Sequence, residues 1–128
     1  MKSILTISTL LFTMMLSSTS FAEWTKVGRS VEGNTHYLDF ERIRKVDGYV
    51  YYWDLIDLLK PDKDGDLSVA GYHQGDCKLF RFKYLSVSFY KEPMGGGTGE
   101  TSTYNNDEWI YPRPNATSEG KLKQVCNW

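Results

Sequence analysis

The sequence predicts a small α+β fold, an antiparallel sheet of about six strands followed by one C-terminal helix that a single disulfide tethers. Segments rich in aromatic and β-branched residues recur between turn signals, which favours strands. Helical spacing of apolar residues occurs in the C-terminal tail. The chain has two cysteines, Cys77 and Cys126. Its 128 residues, 41% of them hydrophobic, suffice for one domain with its own core.

The N-terminal segment has the features of a secretory signal peptide. Lys2 precedes an apolar run at residues 4–16, and Ser20-Phe21-Ala22 forms a cleavage motif of the small-x-small type. A transmembrane helix needs about 20 apolar residues, whereas this run is shorter and is interrupted by threonine and serine. We therefore expect residues 1–22 to be a signal peptide, and we expect no transmembrane segment.

Cleavage between Ala22 and Glu23 would leave a mature domain at residues 23–128. A bacterial lipoprotein carries its lipid on a cysteine directly after the cleavage site, and Glu23 occupies that position, so we expect no lipid anchor. The protein would be exported to the periplasm or the cell surface. In an oxidising compartment, Cys77 and Cys126 predict one structural disulfide, because their spacing is too wide for a CxxC pair and supplies only two metal ligands.

Two short strand patterns open the mature chain. They lie at residues 23–31 and 35–40, and the turn signal at residues 32–34 between them predicts a hairpin. Residues 40–45 are mostly polar and suit a single helical turn. Asp47-Gly48 is a further turn signal before the next strand.

The central segments carry the strongest strand patterns. Residues 49–59 are full of aromatic and β-branched side chains, and residues 67–73 form another strand after a polar loop at residues 61–66. Strict alternation over residues 78–90 predicts one face with Phe80, Phe82, Tyr84 and Tyr90 and the other with Leu79, Leu85, Val87 and Phe89.

The C-terminal part combines one strand and one helix. After a glycine-rich turn at residues 93–99, residues 100–111 form the last predicted strand, which contains Trp109. The tail has N-cap candidates at Thr117 and Ser118, followed at helical spacing by Leu122, Val125 and Cys126. The disulfide would hold this helix against the start of the preceding long strand.

Both faces of the strands at residues 49–59 and 78–90 are predicted to be apolar, yet one short helix covers only one face of a sheet. Three arrangements would bury the excess: a second sheet, a dimer partner across the sheet, or an apolar ligand. Of these we favour an interface with a dimer partner or another protein.

The charge of the chain argues against nucleic acid as a partner. Lys and Arg total 15 and Asp and Glu total 16, which gives a net charge of -1. Proteins that bind duplex nucleic acid or anionic membranes usually carry a basic excess. We therefore expect no nucleic-acid partner.

Asp62, Asp64 and Asp66 alternate in a loop, as the oxygen ligands of a calcium site do. An EF-hand loop beginning at Asp62 would have glycine at its sixth position and glutamate at its twelfth, where this chain has Leu67 and His73. The sequence leaves calcium binding open, and we assign no metal site.

The sequence shows no catalytic motif. His36 and His73 are isolated, and Asp54 and Asp57 are predicted on opposite faces of their strand, where they do not form a carboxylate pair. No serine lies in a nucleophile elbow, and no group has metal-ligand spacing. We assign no catalytic residue and no cofactor. The aromatic residues of the strands are candidates for a binding platform.

Segments spread along the mature chain form an ordered series: Trp24, His36 to Asp39, Val50 to Leu58 with Trp53-Asp54, Cys77, Arg81, Tyr84, Gly97, Trp109, Pro112, Pro114, and Leu122 to Cys126. In this order they resemble the surface-adhesin protein E family of exported bacterial proteins. The resemblance implies an antiparallel sheet with a C-terminal helix tethered by a disulfide, a tendency to dimerise through the sheet, and adhesion to host extracellular matrix proteins.

The chain departs from the characterised members of that family because it lacks their lipidation cysteine. We expect an exported, non-enzymatic, adhesin-like binding protein that recognises a protein partner through its sheet or loops. That partner is an extracellular matrix or envelope protein, and a homodimer is also considered. The alternative is a periplasmic accessory or inhibitor protein that binds an envelope partner.

Overall fold

The computed structural model describes residues 22–105 and 107–128. Of the predicted signal peptide this range includes Ala22, and the rest lies outside the described residues. Within the described part, seven strands form one antiparallel sheet and an α-helix follows, which confirms the predicted fold class. The elements are β1 Thr25–Arg29, β2 Thr35–Leu38, β3 Arg44–Val46, β4 Tyr49–Asp57, β5 Ser68–Asp76, β6 Arg81–Tyr90, β7 Gly99–Thr103 and α1 Thr117–Cys126.

The strands follow the order β1-β2-β4-β5-β6-β7, and β3 lies beside β2 on the same edge of β4. A 3-10 turn at Phe40–Arg42 leads from β2 to β3, which confirms the predicted helical turn. Asp39 caps this turn, since its Oδ1 accepts a hydrogen bond from the Glu41 N–H at 3.1 Å. The sequence did not predict β3, because all three of its residues are exposed and show no apolar alternation.

The centre of the sheet is the pair of β4 and β5. They pair along their whole length, with Tyr49 opposite Asp76 at one end and Asp57 opposite Ser68 at the other. The aromatic and β-branched residues of β4 explain why this segment is a strand. β5 extends beyond its predicted end at His73 and continues to Asp76.

The helix α1 packs on one face of the sheet, which we call the covered face. Its fully buried residues Leu122 and Val125 belong to one hydrophobic cluster with Leu38, Val50, Tyr52 and Phe82. Gly75 in β5 permits this close approach, because a Cβ there would lie 2.9 Å from Leu122 Cδ1. None of the helices in the described residues is long and apolar enough to cross a membrane.

A disulfide joins Cys77 and Cys126, which confirms the predicted pairing. Cys126 is the last residue of α1 and Cys77 follows directly after β5, so the bridge ties the end of the helix to the sheet. The bridged residues are 49 apart in sequence. Closing a loop of that size destabilises the unfolded chain by about 4 kcal/mol in the entropic model.

The predicted strict alternation over residues 78–90 is wrong, because β6 contains a bulge. Tyr72 pairs with Ser86 but His73 pairs with Tyr84, so Leu85 is an extra residue in β6. The bulge reverses the alternation beyond it. The covered face therefore carries Phe82, Tyr84, Val87 and Phe89, whereas Tyr90 lies on the opposite face.

Two further expectations differ from the structure, and one of the alternatives left open is excluded for the described residues. The last strand is shorter than residues 100–111: β7 ends at Thr103, and Ile110 makes an isolated bridge with Phe82. The N-cap of α1 is Ala116, which provides no side-chain hydrogen bond, rather than Thr117 or Ser118. A second sheet does not bury the excess apolar surface, since all strands of the described residues belong to one sheet.

Candidate functional site

Three ionisable side chains meet on the covered face. Asp54 lies in β4, His73 in β5 and Lys121 in α1. Asp54 Oδ1 is 2.8 Å from His73 Nε2, and Asp54 Oδ2 is 2.7 Å from Lys121 Nζ. The exposed fractions of the three side chains are 11%, 4% and 6% in that order. We call these residues the buried cluster.

Gly71 makes room for the buried cluster. It lies opposite Asp54 in the ladder between β4 and β5, and His73 follows two residues later on the same face. A Cβ at position 71 would lie 2.7 Å from both Asp54 Oδ1 and His73 Nε2. The carboxylate of Asp54 and the imidazole of His73 thus occupy the space that a side chain at position 71 would fill.

The two partners of Asp54 keep it ionised. Burial acts to raise the pKa of this carboxyl, but its electrostatic interactions and hydrogen bonds with His73 and Lys121 outweigh burial and hold the pKa well below its usual range. Asp54 is therefore a carboxylate at neutral pH. A buried carboxylate depends on such partners, because its desolvation costs several kcal/mol.

A cavity of about 430 Å³ opens beside the buried cluster, between the sheet and the start of α1. This volume lies within the range of small-molecule sites. Three strands contribute aliphatic side chains to its walls, namely Ile56, Val69 and Val87. Three aromatic side chains that are 36% to 42% exposed also line it, namely Tyr84, Phe89 and Tyr104.

His36 in β2 also lines the cavity and is buried. Burial, assisted by the positive charge of Lys121, lowers the pKa of His36 to about 4, so the ring is neutral at neutral pH. Nδ1 of His36 and Nδ1 of His73 have no hydrogen-bond partner among the described residues. Two imidazole nitrogens beside the cavity are therefore unsatisfied.

The opposite side of the sheet, which we call the open face, carries a row of half-buried aromatic side chains from β4 and β5: Tyr49, Tyr51, Trp53 and Tyr72. The ring centroids of Trp53 and Tyr72 are 4.6 Å apart, and those of Tyr51 and Tyr72 are 6.3 Å apart. At one end of this face, Gly95 of the 3-10 turn Pro93–Gly95 lies against Leu55.

At that same end, Arg42 lies over two rings of the open face. Its guanidinium carbon is 5.0 Å from the ring centroid of Trp53 and 5.8 Å from that of Trp24. Arg42 Nε also donates to Asp39 Oδ2 at 2.6 Å, and this ion pair holds the guanidinium in place. The arrangement is a cation-π contact with a fixed cation.

At the other end, Trp109 extends the aromatic row. Its ring stacks on Tyr49 at 5.9 Å between centroids. Arg81 and Lys83 lie over the Trp109 ring at 4.2 Å and 4.8 Å from its centroid. Both ends of the row thus combine tryptophan with a cationic side chain.

The family model for surface-adhesin protein E matches residues 24–127. The chain belongs to the surface-adhesin protein E family. This confirms the resemblance inferred from the ordered series of segments. Family membership implies an adhesin-like surface protein that is exported or displayed at the cell surface.

Solved structures of Haemophilus influenzae protein E share this fold. Crystal form II of that protein is 17% identical, with a TM-score of 0.64, over 85% of this chain and 91% of the other. Protein E from non-typeable Haemophilus influenzae is also 17% identical, with a TM-score of 0.60, over 86% of this chain and 79% of the other. At this identity the likeness shows a common fold. Among curated protein sequences, none matches the chain.

In this member of the surface-adhesin protein E family, the prediction that His36 and His73 are isolated is wrong. His73 bonds to Asp54, and both histidines line the same cavity. The sequence did not point to Lys121, although its spacing of four residues from Val125 was the available signal that it faces the sheet. The burial of this lysine follows from the position of its carboxylate partner Asp54, which belongs to β4.

Asp54 and Asp57 lie on opposite faces of β4, as predicted. Asp54 belongs to the buried cluster, whereas Asp57 Oδ1 accepts a hydrogen bond from the Met94 N–H at 2.8 Å. Met94 belongs to the turn at one end of the open face. The two carboxylates therefore serve separate contacts and do not form one site.

The acidic loop of this family member brings Asp62, Asp64 and Asp66 together. Their carboxylate oxygens lie within 4.8 Å of one another. Asp62 Oδ1 accepts hydrogen bonds from the N–H groups of Asp64 and Asp66, and Asp66 pairs with Lys91 at 3.1 Å. The two hydrogen bonds stabilise the loop as a turn, and the ion pair connects it to Lys91, directly after β6.

The predicted cleavage position lies at the start of the described chain. The Glu23 N–H donates to Asp39 Oδ2 at 3.2 Å, and Asp39 is 1% exposed. Asp39 therefore connects the first residue of the predicted mature domain with Arg42 at the edge of the open face.

Proposed function

We propose that this protein is an exported, non-enzymatic adhesin that binds an extracellular matrix protein through its open face. The observation that carries this proposal is the row of aromatic side chains with cations at both ends. Tyr, Trp and Arg are the residue types enriched at protein interfaces and at their energetic hot spots. A face of this composition that is not covered by α1 is suited to a protein partner.

The open face is ordered before any partner binds. Trp53 stacks between Tyr72 and the guanidinium of Arg42, and Arg42 is held by Asp39. Each side chain that must be ordered on association costs about 0.5–1.5 kcal/mol. Rings that are already stacked avoid part of this cost, so the free energy of binding benefits from the same contacts that position them.

No side-chain nucleophile is paired with a histidine in the part of the chain that the structure describes. Asp54 occupies Nε2 of His73, and Nδ1 has no partner in the described part of the chain. A general base has to be within about 2.6–3.2 Å of the nucleophile that it activates. Cys77 and Cys126 are both in the disulfide, so neither supplies a free thiol.

Asp39 supports the proposed export and the boundary between a signal peptide at residues 1–22 and a domain at residues 23–128. Cleavage after Ala22 would convert the Glu23 N–H into a charged α-ammonium next to Asp39 Oδ2. Hydrogen bonds between charged groups are roughly twice as strong as neutral ones. A mature chain that begins at Glu23 would therefore gain an ion pair that the precursor lacks.

The binding experiment compares the two faces of the sheet. The exported protein, purified without its signal peptide, is tested by surface plasmon resonance against a panel of purified extracellular matrix proteins. Trp53→Ala and Tyr72→Ala remove rings of the open face, and Tyr84→Ala removes an exposed ring of the covered face as the matched control. We expect the open-face variants to weaken binding by about tenfold or more and the control to bind like the wild type.

The proposal is wrong if the wild type binds no matrix protein or if the control loses affinity as much as the open-face variants. Analytical ultracentrifugation of the same variants tests whether the open face binds a second copy of the chain. If the wild type is a dimer and Trp53→Ala loses the dimer while matrix binding is unchanged, the open face serves self-association instead.

Location is tested by protease treatment of intact cells, with a periplasmic protein as the control and an antibody against α1 for detection. An adhesin is degraded while the periplasmic control survives. Survival of the chain until the outer membrane is opened would contradict adhesion and favour an envelope partner.

A further inference from the structure

The cavity on the covered face is a second candidate site, separate from the open face that the proposed adhesion uses. It lies between the sheet and the start of α1, on the opposite side of β4 from the aromatic row. Residues that alternate along a strand point to opposite faces, so a ligand in the cavity does not touch the open face. The cavity therefore needs an explanation of its own.

The walls of the cavity favour an apolar body. Ile56, Val69 and Val87 supply aliphatic surface, and the rings of Tyr84 and Phe89 are both more than a third exposed. Large apolar side chains that remain exposed around one concavity are a feature of ligand-binding grooves. Burial of apolar ligand surface against these side chains would provide the driving force for binding.

The charges beside the cavity are already compensated. Asp54 bonds to both His73 and Lys121, and the lowered pKa of His36 keeps that ring neutral. Glu108 also lines the cavity and has an interaction of its own. A charged head group would lose its hydration without gaining an uncompensated partner.

The unsatisfied imidazole nitrogens do not bind the ligand. Nδ1 of His36 and Nδ1 of His73 lack hydrogen-bond partners among the described residues, but both atoms are buried and are not exposed to the cavity. A ligand in the cavity therefore makes its contacts with the apolar walls.

We propose that this cavity binds a small, uncharged, mostly apolar molecule with a ring or branched body. That body lies against the aliphatic and aromatic walls.

The test uses three ligands with one skeleton and different head groups: 4-phenyl-1-butanol, 4-phenylbutanoate and 4-phenylbutylammonium. Each is titrated at neutral pH into the purified exported protein and followed by NMR of the backbone amides. We expect saturable binding of the alcohol and affinities at least about tenfold lower for both charged ligands. Equal or tighter binding of either charged ligand, or no saturable binding of the alcohol, would overturn the proposal.

Substitutions at two neighbouring positions of β6 test where the ligand binds. Val87→Phe fills the cavity, whereas Ser86→Phe places the same side chain on the open face. We expect the alcohol to lose about tenfold or more in affinity with Val87→Phe and to bind Ser86→Phe like the wild type. Ile56→Phe, which fills the cavity from β4, replaces Val87→Phe if circular dichroism shows that the latter is unfolded.

Retained affinity in the cavity-filling variant would show that the alcohol binds elsewhere and would overturn the proposal. Matrix binding measured on the same variants keeps the two proposals distinct, because filling the cavity leaves the aromatic row of the open face unchanged.

Discussion

The two faces of this sheet use the same strands but bury their side chains in different ways. On the covered face, Leu122 and Val125 of α1 are fully buried, and Asp54 is buried with both of its partners. On the open face, Trp53 and Tyr72 stack on each other and remain partly exposed. Alternation along β4 distributes apolar residues to both faces. The helix buries those of the covered face, and on the open face Leu55, beside the turn at Gly95, is also fully buried.

The charges on the two faces also differ in their surroundings. In the pair of Lys121 and Asp54 the side chains are 6% and 11% exposed, whereas in the pair of Lys83 and Asp107 on the open face they are 13% and 97% exposed. Exposed ion pairs contribute about 0–1 kcal/mol, and breaking a buried pair costs about 3–5 kcal/mol. The covered face is therefore where loss of a single charge should unfold the protein most readily.

The largest expected effect comes from removing the disulfide that holds α1 on the covered face. Cys126→Ser should lower the free energy of unfolding by about 4 kcal/mol, because the unfolded chain regains the freedom that the disulfide removes. Denaturant unfolding measures the loss, and hydrogen exchange should show α1 opening before β4 and β5. An unchanged melting temperature, or free thiols in the exported wild-type protein, would contradict this expectation.

The second effect is the difference in stability lost when a lysine is removed from the covered face or from the open face. Lys121→Met leaves Asp54 without its ammonium partner and should lower the free energy of unfolding by about 3 kcal/mol. Lys83→Met on the open face and the exposed Lys123→Met on α1 are matched controls, each expected to cost less than about 1 kcal/mol. Chemical denaturation of the three variants checks the order, and equal losses would refute the contrast between the faces.

The third effect concerns the two glycines that let side chains meet on the covered face. Gly71→Ala would press against Asp54 and His73, and Gly75→Ala would press against Leu122. Each should cost about 1–3 kcal/mol, as overpacking does. Gly28→Ala in β1 is the control, because nothing lies within 4 Å of a Cβ there. Thermal unfolding distinguishes them, and a neutral Gly71→Ala would argue against the tight packing described for the buried cluster.

The last expected effect, similar in size to that of the glycine variants, depends on pH and again belongs to the covered face. The pKa of His36 is lowered to about 4 in the folded protein from an unfolded value of 6.5. Below pH 6.5 the unfolded chain therefore binds a proton that the folded chain does not, and stability should fall as the pH drops from 6.5 towards 4. The loss at pH 5 should be on the order of 2 kcal/mol.

His36→Gln checks this expectation, because it removes the titrating ring. Denaturation curves between pH 4 and pH 7 should show a flatter dependence for this variant than for the wild type. Asp54 does not contribute in this window, since its lowered pKa places its loss of stabilisation at more acidic pH. The same slope in both proteins would show that another group is responsible.

The sequence by itself predicted the features that depend on local pattern. Aromatic and β-branched runs predicted β4 and β6, the apolar spacing of Leu122 and Val125 predicted α1, and the two cysteines predicted the bridge. These signals lie within a few residues of one another or follow from the chemistry of an oxidising compartment. The order of the resembling segments likewise predicted the surface-adhesin protein E family.

The tertiary structure alone decided the rest. The bulge at Leu85 moved Val87 and Phe89 onto the covered face, where they line the cavity. Asp54 met His73 across 19 residues and Lys121 across 67. A bulge depends on how β6 pairs with β5, and the buried cluster on how α1 packs over Gly71 and Gly75. Alternation within one segment does not encode contacts between segments, because their free energy arises only when the sheet and the helix are assembled.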